Sequence, residues 1–262
     1  MKTLKKSIMI LTAISLFFVF GCEKNPTSPD DPTQDELTDA EKMLIVAAEV
    51  SEVNGGLMSD LVMAEAAAAG QPGSLQKVVS FDTTITVEWI TYSLQLNFYA
   101  ENGNEQPIYI ENRTDKINYE SALSGSHTIE GTSQKITLNR NSSFEITDII
   151  SDTVEINGTS WNKSEYLFQY NDIKLFANPS GTIVVKNLKI DTTSDTYIPY
   201  AGKIEANIKG NFKKEGKFNQ NETDYNFNCT VEFTGGATVV VTLPSGTQYK
   251  LNLLTGDFSK LS

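Results

Sequence analysis

From about Leu75 to the C-terminus, hydrophobic and polar residues alternate with a period of two. Ile204, Ala206, Ile208 and Phe212 interleave with Lys203, Glu205, Asn207, Lys209 and Asn211. In a strand successive side chains point to opposite faces, so this segment predicts one buried face and one wet face. The end of the chain repeats the pattern three times. Phe227, Cys229, Val231 and Phe233 point inward, Gly235-Gly236 forms a two-residue hairpin loop, and Ala237, Val239, Val241 and Leu243 return. Pro244-Ser245-Gly246 turns the chain again, and Tyr249, Leu251 and Leu253 complete a three-stranded meander. Earlier strands are expected at 84–100, 107–112, 134–139, 143–149, 153–157, 164–169, 172–177 and 181–190, with turns at Asn102-Gly103 and Asn157-Gly158. Within 84–100 the apolar phase moves from odd (Ile85, Val87, Trp89) to even (Ile90, Tyr92, Leu94, Leu96, Phe98). A one-residue shift flips every side chain, which predicts a β-bulge or corner near Trp89-Ile90.

Ahead of the strands the period is helical. Thr38 and Glu41 fit a capping box, and Met43, Leu44, Ala47, Ala48 and Val50 follow at mostly helical spacing up to the breaker Asn54-Gly55-Gly56. A second short helix is expected from Ser59 or Asp60 to Ala69, closed by Gly70 and Pro72, and its Ala66–Ala69 run permits close approach to a flat surface. Isolated helices this short are marginal in water, so they are expected to lie across the apolar face of the sheet. Consecutive strands without intervening helices exclude the α/β crossover folds. The expected fold is therefore mainly β. It is a curved antiparallel meander sheet or half-barrel with short N-terminal helices on its apolar face. The helical segment covers 35–72 and the β domain 73–262, with 35–262 a single globular unit.

The first 21 residues follow different rules. Lys2, Lys5 and Lys6 precede an apolar run from Ile8 to Phe20, far short of the ~20 residues that a membrane-spanning helix needs. This is the layout of a secretory signal peptide, residues 1–21. Val19-Phe20-Gly21-Cys22 then resembles the bacterial lipobox, with Phe20 departing from the usual small or aliphatic second position. The resemblance implies cleavage before Cys22 and acylation of that residue, including a diacylglycerol on its thiol. Three acyl chains exceed the two lipid signals that suffice for stable attachment. Glu23 after the cysteine is similar to the enterobacterial pattern that sorts a lipoprotein to the outer membrane, with the face it occupies left open. Residues 22–34 carry Pro26, Pro29 and Pro32 without apolar periodicity and read as a flexible tether. The C-terminal stretch Thr234–Asp257 looks like ectodomains of uncharacterised bacterial lipoproteins, a resemblance that carries architecture and no activity.

Charge and composition remove several functions. Lys+Arg 21 against Asp+Glu 33 gives −12, and loss of the three lysines of the first 21 residues takes it to −15. Such a chain repels phosphate backbones, so no nucleic-acid partner is expected. One histidine and two cysteines do not supply a usual structural zinc site, and no metal or cofactor is expected. His127 beside Ser126 invites a hydrolase reading, but no Gly-x-Ser-x-Gly elbow occurs, and a turn leading into a strand at 128–130 explains the residues. Pairs of carboxylates such as Asp115 and Glu120 are plentiful without defining a cleft. Asn221 and Asn228 begin short glycosylation-type sequons, which are cheap matches. With Cys22 acylated, Cys229 is an odd cysteine expected to be buried and inert.

Aromatics on or beside strands, including Tyr92, Phe98, Tyr166 and Phe168, have two readings. They can line a groove for a lipid, as in lipoprotein carriers built from half-barrels with a helical plug. They can equally fill the core, because aromatics suit strands. The sequence-level expectation is a membrane-anchored lipoprotein with a non-enzymatic β-rich ectodomain for binding or structural work in the envelope. The alternative is a periplasmic carrier of a hydrophobic ligand. Partners are the membrane, through the N-terminal lipid, and an unidentified protein or hydrophobic ligand.

Overall fold

A computed structural model describes residues 36–68, 81–87, 89–128, 135–170, 173–193, 198–216 and 220–261. Gln34–Ser262 forms a single compact unit. Two helices come first, α1 (Asp39–Val50) and α2 (Leu57–Ala68), joined through a 3-10 turn at Glu52–Asn54. The capping box is present as expected. Thr38 Oγ1 accepts from the Glu41 amide at 3.3 Å, and the Thr38 amide donates to Glu41 Oε2 at 3.0 Å. Together these satisfy two otherwise orphaned backbone donors. Helix α2 starts at Leu57, slightly earlier than the expected Ser59 or Asp60.

Among the described residues thirteen strands follow in one sheet. They are β1 (Phe81–Val87), β2 (Ile90–Ala100), β3 (Glu105–Gln106), β4 (Thr114–Thr128), β5 (Lys135–Thr147), β6 (Thr153–Tyr170) and β7 (Ile173–Ala177). After them come β8 (Ser180–Asp191), β9 (Ala201–Glu215), β10 (Gln220–Phe233), β11 (Thr238–Thr242), β12 (Gln248–Asn252) and β13 (Phe258–Lys260). Each long strand pairs antiparallel with its chain neighbour, so the sheet is a meander that curves without closing. Strands β7 and β8 act as one strand broken at Asn178-Pro179. Both pair with β6 on one side and β9 on the other. Proline has no amide to give a ladder. The Asn178 side chain repairs the break by accepting from the Asn211 amide at 2.6 Å, while the Pro179 carbonyl accepts from the Ser164 amide at 2.9 Å.

Mainly β architecture with N-terminal helices on the apolar face is as the pattern predicted, and so is the inward set of β10, β11 and β12 apart from Ala237, which is half-buried in the turn before β11. Phe227, Cys229, Val231, Phe233, Val239, Val241, Leu243, Tyr249, Leu251 and Leu253 are all buried. Several details differ. The phase change near Trp89 is a full reversal. Val87 pairs with Ile90, making β1 and β2 a hairpin instead of one bulged strand. A reversal and a bulge change the apolar phase alike, which is why the pattern did not separate them. The last β10–β11 pair is Phe233 with Val239, so that turn is wider than Gly235-Gly236 alone.

Residues 107–112 are not a strand, whereas 114–128, where a turn was expected at His127, forms all of β4. Of the expected segments 134–139 and 143–149, residues 135–139 and 143–147 belong to the single strand β5, and 153–157 and 164–169 belong to the single strand β6. Asn157-Gly158 is therefore not a turn. Gly158 sits inside β6 at φ +150, where the β6–β8 register shifts, and Asn157 Oδ1 accepts from the Asn187 amide at 2.7 Å across the irregularity.

Candidate functional site

The inner face of the sheet is where the unexpected chemistry lies. In β5 and β6 the polar inward positions are Arg140 and Ser142, then Ser160, Asn162, Ser164 and Tyr166, all buried. Their partners come from α1 and the turn after it. A helix C-terminus leaves its last carbonyls without intrahelical donors and carries a partial negative charge. Here those carbonyls are capped from the sheet. Arg140 Nη2 donates to the Glu49 carbonyl at 3.2 Å and Nη1 to the Gly55 carbonyl at 3.1 Å, while the Tyr166 hydroxyl lies 3.2 Å from the Ala48 carbonyl. The Ser51 hydroxyl donates to the Ala47 carbonyl.

The Glu49 side chain completes the cluster. It receives Arg140 Nη2 at 3.5 Å, the Tyr166 hydroxyl at 3.1 Å and the Asn162 amide. Burial pushes the Glu49 carboxyl above its usual range, opposed by the Arg140 charge and by hydrogen bonds from Tyr166 and Ser164. Among the described residues Arg140 Nε and Asn162 Oδ1 have no protein partner, so the cluster is held at some cost in folding energy. Gly55 has φ +67, a left-handed conformation that favours glycine, and a Cβ there would also press on the Leu138 side chain.

A second pin lies under α2. Asp60, fully buried in the first turn of that helix, accepts from the Tyr119 hydroxyl at 2.7 Å and from Ser121 Oγ at 2.8 Å. An acidic side chain in a first helical turn complements the positive end of the helix dipole. Ser121, Ser142 and Ser160 are cross-strand neighbours, and this small polar row lies in the part of the sheet that meets α2. One turn further along the helix, burial raises the Glu65 carboxyl to about 7.

The expected groove residues fall on this inner face. Tyr92, Phe98 and Tyr166 are buried, and Phe168 is half-buried and stacked on Tyr166 at 5.7 Å. They share one apolar core with Val46, Leu57, Leu61 and Met63 of the helices. Cys22, the expected acylation site, lies outside the described residues. The Cys229 thiol is buried and pushed up to about 12 by desolvation, as its alternation predicted. Ser126 and His127 are adjacent in β4 and so point to opposite faces. Ser126 faces Thr137 at 3.3 Å, whereas His127 stacks on Trp89 at 5.4 Å. Asp115 lies at the β2–β4 register shift and Glu120 is exposed five residues further along the same strand. No group of three or more His, Cys, Asp or Glu among the described residues is placed to hold a metal ion, and no described helix is long and apolar enough to cross a membrane.

Among the described residues the outer face is polar and uncovered. Lys186 and Lys203 both pair with Glu205, holding its carboxyl down at about 2. The Asn207 amide donates to Asn226 and Asn228, and the Asn211 amide to Asp224. In the middle of this face stands Trp161, 44% exposed. Sequence reasoning missed Trp161 because an outward aromatic has the same local signature as an inward one until the strand's phase is known. Comparison with known proteins matched the chain to no family model, no curated protein and no solved structure.

Proposed function

We propose that the chain is a lipid-anchored protein of the bacterial outer membrane whose β domain is a non-enzymatic binding module working through the outer face of its sheet. One observation carries the choice of face. The inner face is filled by α1 and α2 and fastened by buried hydrogen bonds from Arg140, Tyr166, Tyr119 and Ser121. A hydrophobic cargo would have to displace those helices before reaching Tyr92 or Phe98. The separation of Ser126 from His127 onto opposite faces supports binding over catalysis.

Two experiments test the proposal. Cys22→Ala should abolish fatty-acid labelling and release the protein from the membrane fraction, and labelling that persists would overturn the anchor. Native mass spectrometry of the detergent-released protein should find the domain without lipid other than its own acyl chains. A stoichiometric additional lipid that protects α1 and α2 from exchange would put the carrier reading ahead.

A further inference from the structure

The strands of the outer face bring a set of side chains into one transverse row. Successive cross-strand partners run from Ser93 through Asn141, Trp161 and Thr182 to Asn207 and Asn228. With strands ~4.8 Å apart, the row crosses seven strands over roughly 29 Å. It is not flat. A depression of about 440 Å³ surrounds Trp161 and Asn141, another of about 480 Å³ surrounds Asn207 and Asn228, and the two share Thr182. A twisted sheet is saddle-shaped, so a face that bulges in one direction is hollow in the other. Row and hollow together make a shallow trough across the strands.

The lining narrows the occupant. Neither depression is lined by a lysine or arginine, Glu120 lines one, and the Glu205 that lines the other is already paired with Lys186 and Lys203, so the lining favours a neutral chain over a phosphate, sulfate or uronate polymer. A protein partner ordinarily needs a cluster of large apolar anchors at the centre of its interface. Here a single indole stands among small residues such as Ala122, Ser143 and Thr159. One clear aromatic face surrounded by amides, hydroxyls and a carboxylate suits a ligand with apolar C–H faces and hydroxyl rims. The repeat of a pyranose chain is also close to the spacing between strands.

We propose that the row centred on Trp161 binds a linear neutral polysaccharide. One pyranose ring stacks on the indole, and its neighbours hydrogen-bond Asn141, Thr182, Asn207 and Asn228. This inference rests on the outer-face reading above but not on the lipid anchor.

The test uses the full chain in detergent, with Trp89→Phe so that Trp161 is the sole indole of a protein that has two. The probes are β-1,4-linked hexasaccharides and disaccharides of glucose and of N-acetylglucosamine, with heparin as the anionic control. The expected result is a saturable change in Trp161 emission with either hexasaccharide, weaker with its disaccharide and absent with heparin. In the Trp89-containing protein, calorimetry should show Trp161→Ala weakening binding by about tenfold or more at unchanged melting temperature. Asn141→Ala should weaken it by a smaller factor.

Absence of saturable binding with every hexasaccharide would overturn the inference, as would binding that survives Trp161→Ala or binding of heparin as tight as that of the neutral chains. Cys22→Ala separates the two proposals. It should alter fractionation and leave saccharide binding intact. If the variant stays at the membrane while saccharides bind, the anchor reading fails alone. If it is released and no saccharide binds, the polysaccharide inference fails alone.

Discussion

The two faces of the sheet use the same polar residue types for opposite ends. On the inner face Arg140, Asn162, Tyr166, Tyr119 and Ser121 each contact a helix carbonyl or carboxylate, and all five are buried. On the outer face Asn207, Asn211, Asn226 and Asn228 are exposed or half-buried and bond to one another or to a neighbouring acid. A buried polar group that loses its partner bears the whole desolvation penalty, whereas an exposed one exchanges that partner for water. Inner polar groups are therefore structural fasteners that resist change. The outer ones can be rearranged around a ligand at little cost, and this is why the outer face is the better place for recognition.

The sharpest way to break that contrast is Arg140→Ala. It strands Glu49 and uncaps the Glu49 and Gly55 carbonyls, and the expected loss is about 3–5 kcal/mol, a large part of a typical domain's ~5–15 kcal/mol. Thermal unfolding with a hydrophobic dye measures it. The paired change Glu49→Gln with Arg140→Met should recover much of the loss, because removing both charges leaves neither buried alone. If Arg140→Ala melted like the unaltered protein, the inner cluster would not be fastening the helices.

Tyr119→Phe is milder. It deletes one hydrogen bond to Asp60 and leaves the one from Ser121, for an expected cost of about 1.5–3 kcal/mol in denaturant unfolding. A cost near zero would mean that α2 is held by apolar packing alone.

Glu65 gives the inner face a pH dependence. Its folded value is raised to about 7 from 4.5, so the folded state holds this proton where the unfolded state has lost it. The sign follows. The contribution is fully present below pH 4.5, is lost as pH rises toward about 7, and changes no further above that. The expected fall is about 1–3 kcal/mol across the window. Glu65→Gln should flatten that part of the stability profile and make the protein more stable at pH 8. A profile unchanged by the substitution would show that Glu65 is better solvated than its position implies.

The same inner polar residues explain how far the sequence could be read. Where inward positions are apolar, as from Phe227 to Leu253, alternation located the strands and their burial. Where they are Arg140 and Ser142, or Ser160, Asn162 and Ser164, the alternation lapses, and β5 and β6 each read as two short strands. Strand β4 was hidden in the same way by Ser121 and Gly125. What makes those residues acceptable inside is a helix far away in sequence, since Arg140 bonds positions 85 and 91 residues earlier. No local pattern carries that partner. The capping box of α1 was legible because both of its members lie within one turn. The gaps in the strand reading thus fall on the residues that fasten the helices.

The smallest effect is the one that tests the outer half of the comparison. Asn207 makes two amide hydrogen bonds, to Asn226 at 3.1 Å and Asn228 at 2.8 Å, one more than the Tyr119 hydroxyl makes to Asp60. Counting bonds alone would make Asn207→Ala the more damaging change. Exposure argues the reverse. Asn207, Asn226 and Asn228 are all exposed, so water replaces each lost bond as it breaks. The expected cost is below about 0.5 kcal/mol, the ordinary range for a surface substitution. It should be measured beside Tyr119→Phe in the same denaturant series, where the difference between the two midpoints matters more than either value. A loss for Asn207→Ala equal to that for Tyr119→Phe would mean that the outer row is itself a fastener. A trough built of fasteners could not rearrange for a ligand without unfolding energy, and the case for recognition on that face would go with it.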